Sequence, residues 1–485
     1  MNISQLQFFL RKPLITLQTV TMEFLMNRSL ILTMAGLQLF WLVMIAVTGA
    51  STRYNTILIV GIFSLVATIL VLLLPTSVMQ RIYHLKDWLF QNEKRSLLFL
   101  CIAALLIGVI YAFIQTEWTD EQSVLTAANI IATEGLQPAY TAFRRVGWLG
   151  QQHPPLFPIL FSITLKLPGP DLFYMRLMSV FFLAGTLVIT YFLGRELYTR
   201  KIGFLAALLL LSFPLVIRLG ASAMMDIPLA FFFSLALLLL LRLSRAPSFW
   251  LASGIGVVIG LGLLTKYIMV LLFLILFLYF LFFKSFRKLT SYLFIVTVVS
   301  MSMFAVWLMY ANNIGILSRQ FEKILNFVGS YHVIRNNLEQ STQETPSTQP
   351  VANEAQSTDP GDLMQNGIFR LGLETLFTRL PSSLGVYHAP LILFGFLYLI
   401  KRRKSFDWML LLWVGGVSLF LFLTLPDHRY FLPIFPAIAI AIARVLVRFP
   451  EYAERAILLS LLLGISNLYL FANWFRESHL FLLTP

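Results

Sequence analysis

The sequence predicts an all-α polytopic membrane protein, a bundle of about 13 transmembrane helices, and three observations predict it. Of its 485 residues, 58% are apolar and only 12% are charged, half of the roughly 25% that a soluble surface needs. The apolar residues fall in continuous Leu- and Phe-rich runs of about 20, enough to cross ~30 Å of hydrocarbon. These runs do not alternate as barrel strands do, and lipid requires each segment to pair its own amides. A disulfide scaffold is excluded, since Cys101 is the only cysteine.

In chain order the runs cover 29–50, 56–75, 97–115, 172–193, 203–219, 227–241, 249–264, 267–283, 291–310, 384–400, 408–425, 430–447 and 456–473. Residues 1–96 are an N-terminal cytoplasmic segment with two extra helices, ahead of a core at 97–310. No signal peptide is expected, because the first run starts near residue 29 and a second follows at once. A polar stretch at 116–171 interrupts the core. Within it Val124, Ala127, Ala128 and Ile131 recur at helical spacing, which predicts a helix lying in the membrane interface. A second polar segment, 311–383, holds an insert at 336–367 rich in Gln, Ser, Thr, Pro and Asn, which cannot fold by itself and is expected to be flexible. The remaining helices occupy 384–485.

Positive charge reports how the chain is threaded. The net charge is +14, from 36 Lys+Arg against 22 Asp+Glu. With a cytoplasmic N-terminus, 22 of the 36 basic residues fall on that side, nearly all in short loops such as Lys401-Arg402-Arg403-Lys404. That is the positive-inside pattern. It predicts that 116–171, 311–383 and the C-terminus are extracytoplasmic. The surplus therefore marks topology within a lipid bilayer, with no nucleic-acid partner.

Span parity then brings acids and bases to one rim. Asp120 and Glu121 follow the third run, and Asp226 opens the sixth. Lys266 comes two crossings later, and His428 and Arg429 four crossings beyond that. His153 and Arg176 belong to or adjoin the first polar segment. All fall on the extracytoplasmic rim, at the depth of a lipid phosphate.

Each has a structural reading as well. Thr119-Asp120-Glu121-Gln122 fits a helix capping box, and Asp226 ahead of Ile227-Pro228 is a natural N-cap. Arg176, Lys266 and Arg429 suit snorkelling anchors, and His153-Pro154-Pro155 reads as a rigid turn. Together, however, they form a chemical kit. A carboxylate at an interface can act as general base toward a hydroxyl or amine. Arg, Lys and His donors can hold a phosphate and neutralise its charge as it leaves. The sequence has neither a Walker-type phosphate loop nor a His-Glu-x-x-His zinc helix, which suits a lipid-phosphate-linked donor.

Several motifs stand in order along the chain. They are Asp120-Glu121, His153-Pro154-Pro155-Leu156-Phe157, Arg176-Leu177-Met178-Ser179 and Arg195-Glu196-Leu197-Tyr198. Ala223-Met224-Met225-Asp226-Ile227-Pro228-Leu229, Leu261-Gly262-Leu263-Leu264-Thr265-Lys266-Tyr267 and Arg429-Tyr430-Phe431-Leu432-Pro433 complete the set. In this order and on these membrane sides they resemble the polyprenyl-phosphate-sugar-dependent glycosyltransferases of the GT-C fold. The branch is glycosyltransferase family 39-like, related to protein O-mannosyltransferases and the lipid A aminoarabinose transferase. The resemblance covers roughly 97–447 and implies a GT-C type bundle, with interfacial helices in its extracytoplasmic loops, in a bacterial plasma membrane.

The resemblance also implies roles. Asp120, Glu121 and Asp226 are the expected catalytic residues. Asp120 would take the acceptor's proton in a single inverting displacement, and Asp226 would orient acceptor or donor sugar. His153, Arg176, Lys266, His428, Arg429 and Tyr430 are expected to bind the lipid phosphate or sugar. The implied partners are a polyprenyl-phosphate-linked sugar donor and a protein, lipid or glycan acceptor. No cofactor is firmly implied; a divalent metal is left open, and no ligand cluster stands out. The chain departs from the aminoarabinose branch at His153, where that branch has lysine, and its first two helices match nothing in the family pattern.

A transporter or lipid-carrier flippase is the competing expectation. Such proteins set ionisable residues near the bilayer midplane, often within paired repeats. Here they gather at one rim, which favours the transferase. An O-antigen ligase or an oligosaccharyltransferase-like enzyme, using the same carrier for a different transfer, would present a similar rim.

Overall fold

The computed structural model describes residues 29–47, 54–115, 117, 119–141, 153–169, 171–317, 379–424, 427–448 and 450–474. Among these residues every regular element is a helix, and the described part of each predicted apolar run falls in one helix or in consecutive helical elements. The insert at 336–367 lies outside the described residues.

The chain begins with α1 (Ser29–Val47), α2 (Tyr54–Leu73), α3 (Thr76–Gln91) and α4 (Glu93–Ile114). The first polar segment carries α5 (Thr119–Glu134), α6 (Leu136–Thr141) and α7 (Leu156–Thr164). Then follow α8 (Asp171–Leu197), α9 (Arg200–Leu211), α10 (Pro214–Gly220), α11 (Asp226–Arg245) and α12 (Phe249–Leu263). A 3₁₀ turn at Tyr267–Val270 enters α13 (Leu271–Phe282), and α14 (Lys284–Arg287) leads into α15 (Thr290–Asn313). The last group is α16 (Leu380–Leu384), α17 (Ala389–Arg402), α18 (Ser405–Thr424), a 3₁₀ segment at His428–Ile434, α19 (Phe435–Leu446) and α20 (Pro450–Trp474).

Among the described residues eight helices are long and apolar enough to cross a membrane singly, and α9 with α10, bent by 73°, meets the same length and composition only as a pair. Where the sequence predicts about 13 similar crossings, α12, α13 and α17 have only 15, 12 and 14 residues. The helices are interrupted at Lys266 and at His388, where polar side chains enter the bundle. Pro214 supplies the break after α9, because its nitrogen has no hydrogen to donate. Inside a bilayer the freed groups need partners. The Tyr387 hydroxyl donates to the Ser212 carbonyl at 2.9 Å, and Ser212 Oγ lies 3.1 Å from His388 Nε2.

Burial orders the bundle. The window over α11 is 72% buried and that over His428–Leu446 is 83% buried, so these form the centre. The windows over α1, α2 and α4 are 28% buried and that over α15 is 17% buried, which puts these at the lipid-facing edge. The α8–α9 hairpin closes tightly because a side chain at Gly194 would strike Gly203, and one at Gly203 would strike the Tyr191 carbonyl. Thr199 caps α9, accepting from the Ile202 amide at 3.3 Å.

The two extra helices dock on the last one. Gln38 of α1 and Asn467 of α20, both fully buried, exchange hydrogen bonds at 2.6 and 3.3 Å. Arg455 of α20 donates to the Val71, Leu72 and Leu74 carbonyls at the end of α2. The predicted interfacial helix is α5, but Val124, Ala127 and Ala128 are buried and α5 packs on α7. Its apolar stripe faces protein rather than lipid. At the rim opposite the site, Arg195 pairs with Glu93, Arg245 with Glu196, and Tyr198 donates to Asp407 at 2.6 Å.

Candidate functional site

The end of α4, the starts of α5, α8 and α11, the Leu264–Lys266 corner and the Asp427–Tyr430 turn meet at one rim. The first knot there is Glu121 with Arg176. Arg176 Nε and Nη2 donate to Glu121 Oε1 and Oε2 at 2.9 and 2.7 Å, a bidentate fork. Its Nη1 donates to the Ala112 and Gln115 carbonyls, at 2.9 and 3.2 Å, where α4 runs out of internal partners. Glu121 Oε1 also accepts from the Ala223 amide at 2.7 Å. Gln115 joins in, donating to the Ala221 carbonyl and accepting from Ser222 Oγ. Glu121 and Arg176 are both buried. All three guanidinium nitrogens are engaged within the protein. Both side chains are thus engaged with each other and with the backbone of the rim, at the positions where the sequence reading sets a phosphate-binding Arg176 and a catalytic Glu121.

The second pair is Asp226 with Lys266. Asp226 is the first residue of α11; the capping position belongs to Met225, which makes no side-chain cap bond. The Asp226 carboxylate instead turns to Lys266, whose Nζ donates to Oδ1 at 2.7 Å. Asp226 is 1% exposed, and its Oδ2 is buried without a hydrogen-bond partner among the described residues. Lys266 Nζ also lies 4.7 Å from the centre of the Tyr430 ring, a cation–π contact. The Leu156 amide donates to the Leu264 carbonyl at 3.0 Å, which holds the His153-Pro154-Pro155 turn beside this corner. His153 is itself buried.

The third cluster is more open. Arg429 Nη1 donates to Asp120 Oδ2 at 2.7 Å, with side-chain exposures of 23% and 28%. The other edge of the same guanidinium, Nε and Nη2, donates to Asp427 Oδ2 at 3.3 and 3.1 Å. Asp427 Oδ1 caps the 3₁₀ segment through the Arg429 amide at 3.0 Å, and His428 Nδ1 stands 3.2 Å from it. Burial alone would raise the Asp427 carboxyl, but the Arg429 guanidinium, His428 and the Arg429 amide hold it well below its ordinary range.

The structure therefore brings Asp120, Glu121, Arg176, Asp226, Lys266, His428, Arg429 and Tyr430 to one rim in named contacts, with His153 adjoining. Sequence reading missed three members. Asp427 is signalled by Asp-His-Arg ahead of a helical turn, a capping pattern. Arg218, 4% exposed on α10, lies in electrostatic range of Arg429 and Glu121; a lone arginine inside an apolar run was its signal. Gln115 carried none, because its partners, the Ala221 carbonyl and the Ser222 hydroxyl, are distant in sequence. Among the described residues no group of three or more His, Cys, Asp or Glu could hold a metal ion; the acids named here face cations instead.

Solved structures with similar architecture include an oligosaccharyltransferase from Archaeoglobus fulgidus, 17% identical, with a TM-score of 0.47. The alignment covers 77% of this chain and 52% of that one, so the chain spans about half the archaeal protein's length. The ArnT protein of Cupriavidus metallidurans bound to undecaprenyl phosphate is 14% identical, with a TM-score of 0.48, covering 76% of this chain and 77% of that one. Among curated proteins none matches the chain. Residues 152–310, a segment that includes His153, Arg176, Asp226 and Lys266, match the family described as dolichyl-phosphate-mannose-protein mannosyltransferase.

Proposed function

We propose that the protein is a membrane glycosyltransferase that moves a sugar from a polyprenyl-phosphate-linked donor to a protein, lipid or glycan acceptor at the extracytoplasmic rim of a plasma membrane. One observation carries the reading: at a single rim, Asp120 pairs with Arg429 and Asp226 with Lys266. The family match over 152–310 supports it, and the short basic loops on the other side of the membrane support the orientation.

In this reading Asp120, the more exposed acid, takes the proton from the acceptor hydroxyl or amine. The acceptor attacks the anomeric carbon, the bond from that carbon to the phosphate oxygen breaks, and its electron pair stays on the phosphate. A single displacement of this kind inverts the centre. Lys266 and Arg429 neutralise the added phosphate charge, with His153 and Tyr430 lining the same corner and His428 bracing Asp427. The unpartnered Asp226 Oδ2 accepts from a sugar or acceptor hydroxyl. Glu121 and Arg176 keep the rim in register.

Asp120→Asn should lower transfer by about 10²–10⁴-fold, the usual worth of a general base, while the variant still inserts and folds. Normal turnover would remove Asp120 from the base role. Mass spectrometry of envelope lipids from a deletion strain should show a polyprenyl-phosphate sugar accumulating. The glycoconjugate missing from that strain identifies the acceptor.

A further inference from the structure

Arg429 is held differently from the other cations of the rim. Arg176 grips both oxygens of a fully buried carboxylate and two carbonyls besides. Lys266 and Asp226 are likewise almost entirely buried. Arg429 instead reaches Asp120 through one nitrogen and one oxygen, on the exposed side of the site. A partly exposed, single-contact ion pair is weak and easily exchanged. The opposite edge of the guanidinium is fixed, because Asp427 holds Nε, Nη2 and the Arg429 backbone amide together. The group is therefore pinned along one edge and free to trade partners at the Nη1 corner.

Arg429 faces Asp427, Asp120, Asp226 and Tyr430, with Arg218 in range. While Nη1 stays on Asp120 Oδ2, the guanidinium occupies one lone pair of that oxygen and offsets the charge of the carboxylate. A base must offer a lone pair to the proton it takes. A phosphate diester arriving at this rim presents two anionic oxygens to the same corner, a better match for an arginine than one carboxylate oxygen.

We propose that Asp427 is a positioning residue for Arg429, and that Arg429 Nη1 passes from the Asp120 carboxylate to the donor phosphate. Asp120 is then released as a base only when the donor is in place. The inference rests on the donor and base assignments above and adds an order of events to them. In the resting rim Asp120 is masked by Arg429. Donor binding draws Arg429 across. The acceptor's proton then moves to Asp120, its oxygen or nitrogen bonds to the anomeric carbon, and the departing phosphate keeps the electron pair of the broken bond. That phosphate ends with one more negative charge, beside the guanidinium that has just moved onto it. Masking keeps the base from acting before a donor is bound.

The test is binding of a polyprenyl monophosphate, in phosphatidylcholine nanodiscs, to the full chain and five variants. Arg429→Gln should weaken binding about tenfold or more, the worth of a charged hydrogen bond. Asp120→Asn should tighten it about threefold to fivefold, the size of a partly exposed ion pair, because it frees Arg429. In the double variant Asp120→Asn/Arg429→Gln that gain should vanish. Asp427→Asn should weaken binding several-fold, and Asp427→Glu should restore much of it, which a general loss of folding would not do. If Asp120→Asn tightens binding equally with and without Arg429, the effect is through-space charge and the trade is overturned. If Asp120→Asn leaves affinity unchanged while Arg429→Gln weakens it, the trade is overturned but the donor reading stands. If the wild-type chain binds no polyprenyl phosphate, the donor reading falls and the inference falls with it.

Discussion

Glu121 and Arg176, 55 residues apart in sequence, meet through two parallel hydrogen bonds of 2.9 and 2.7 Å inside the rim. Between them they tie the end of α4, the start of α5, α8 and the Ala223 amide. Removing one partner strands a charge where water does not reach, which costs about 3–5 kcal/mol. Arg176→Ala or Glu121→Ala should therefore lower the thermal midpoint of the detergent-solubilised protein sharply. An unchanged midpoint would mean that the rim is held elsewhere.

Lys266 has one acid and one aromatic ring around it, and the proposed role adds a phosphate. Lys266→Met should weaken polyprenyl phosphate binding about tenfold to a hundredfold, the worth of a charged hydrogen bond at 1.5–3 kcal/mol. Lys266→Arg should recover part of it. Equal affinity in wild type and Lys266→Met would limit Lys266 to neutralising Asp226.

The Gln38–Asn467 pair predicts how the two extra helices attach. Interhelical hydrogen bonds inside a membrane average about 0.6 kcal/mol and reach about 1.7. Gln38→Leu or Asn467→Leu alone should lower stability by about that amount, since each strands one amide. The double change should recover much of the loss, and polyprenyl phosphate binding should stay unaltered throughout. Additive losses in the double variant would count against the pairing.

Asp427 supplies a pH dependence whose sign follows from its lowered carboxyl. Burial works to raise it, and Arg429 with His428 more than offsets that. A carboxyl lower in the folded than in the unfolded chain stabilises fully above its ordinary value of 3.8. That stability is lost progressively as pH falls from there through the lower folded value. The difference in thermal midpoint between wild type and Asp427→Asn should stay constant from about pH 8 to 5 and shrink below about 4. A difference that already shrinks between pH 7 and 5 would contradict the arrangement around Arg429.

Much of the fold is legible because lipid leaves few choices. A run of about 20 apolar residues must be a helix that pairs its own amides. The number of crossings between two residues then decides whether they share a rim. That is why Asp120 and Arg429, 309 residues apart, could be placed together before any contact was seen. The broken crossings were less legible. Pro214 marks one break, but its 73° bend depends on Tyr387 and His388 meeting Ser212 from a distant helix.

The sequence by itself determined the helical class, the rim each polar residue occupies and the chemical kit gathered there, since composition, period and parity are properties of the chain alone. Only the tertiary structure decided which acid meets which base. It tied Arg176 to Glu121 and two carbonyls, Lys266 to Asp226, and Arg429 to both Asp120 and Asp427. The physical reason is one of range. A hydrogen bond near 2.7 Å depends on how helices are ordered and turned sideways in the bilayer, and no periodicity along one chain encodes that order.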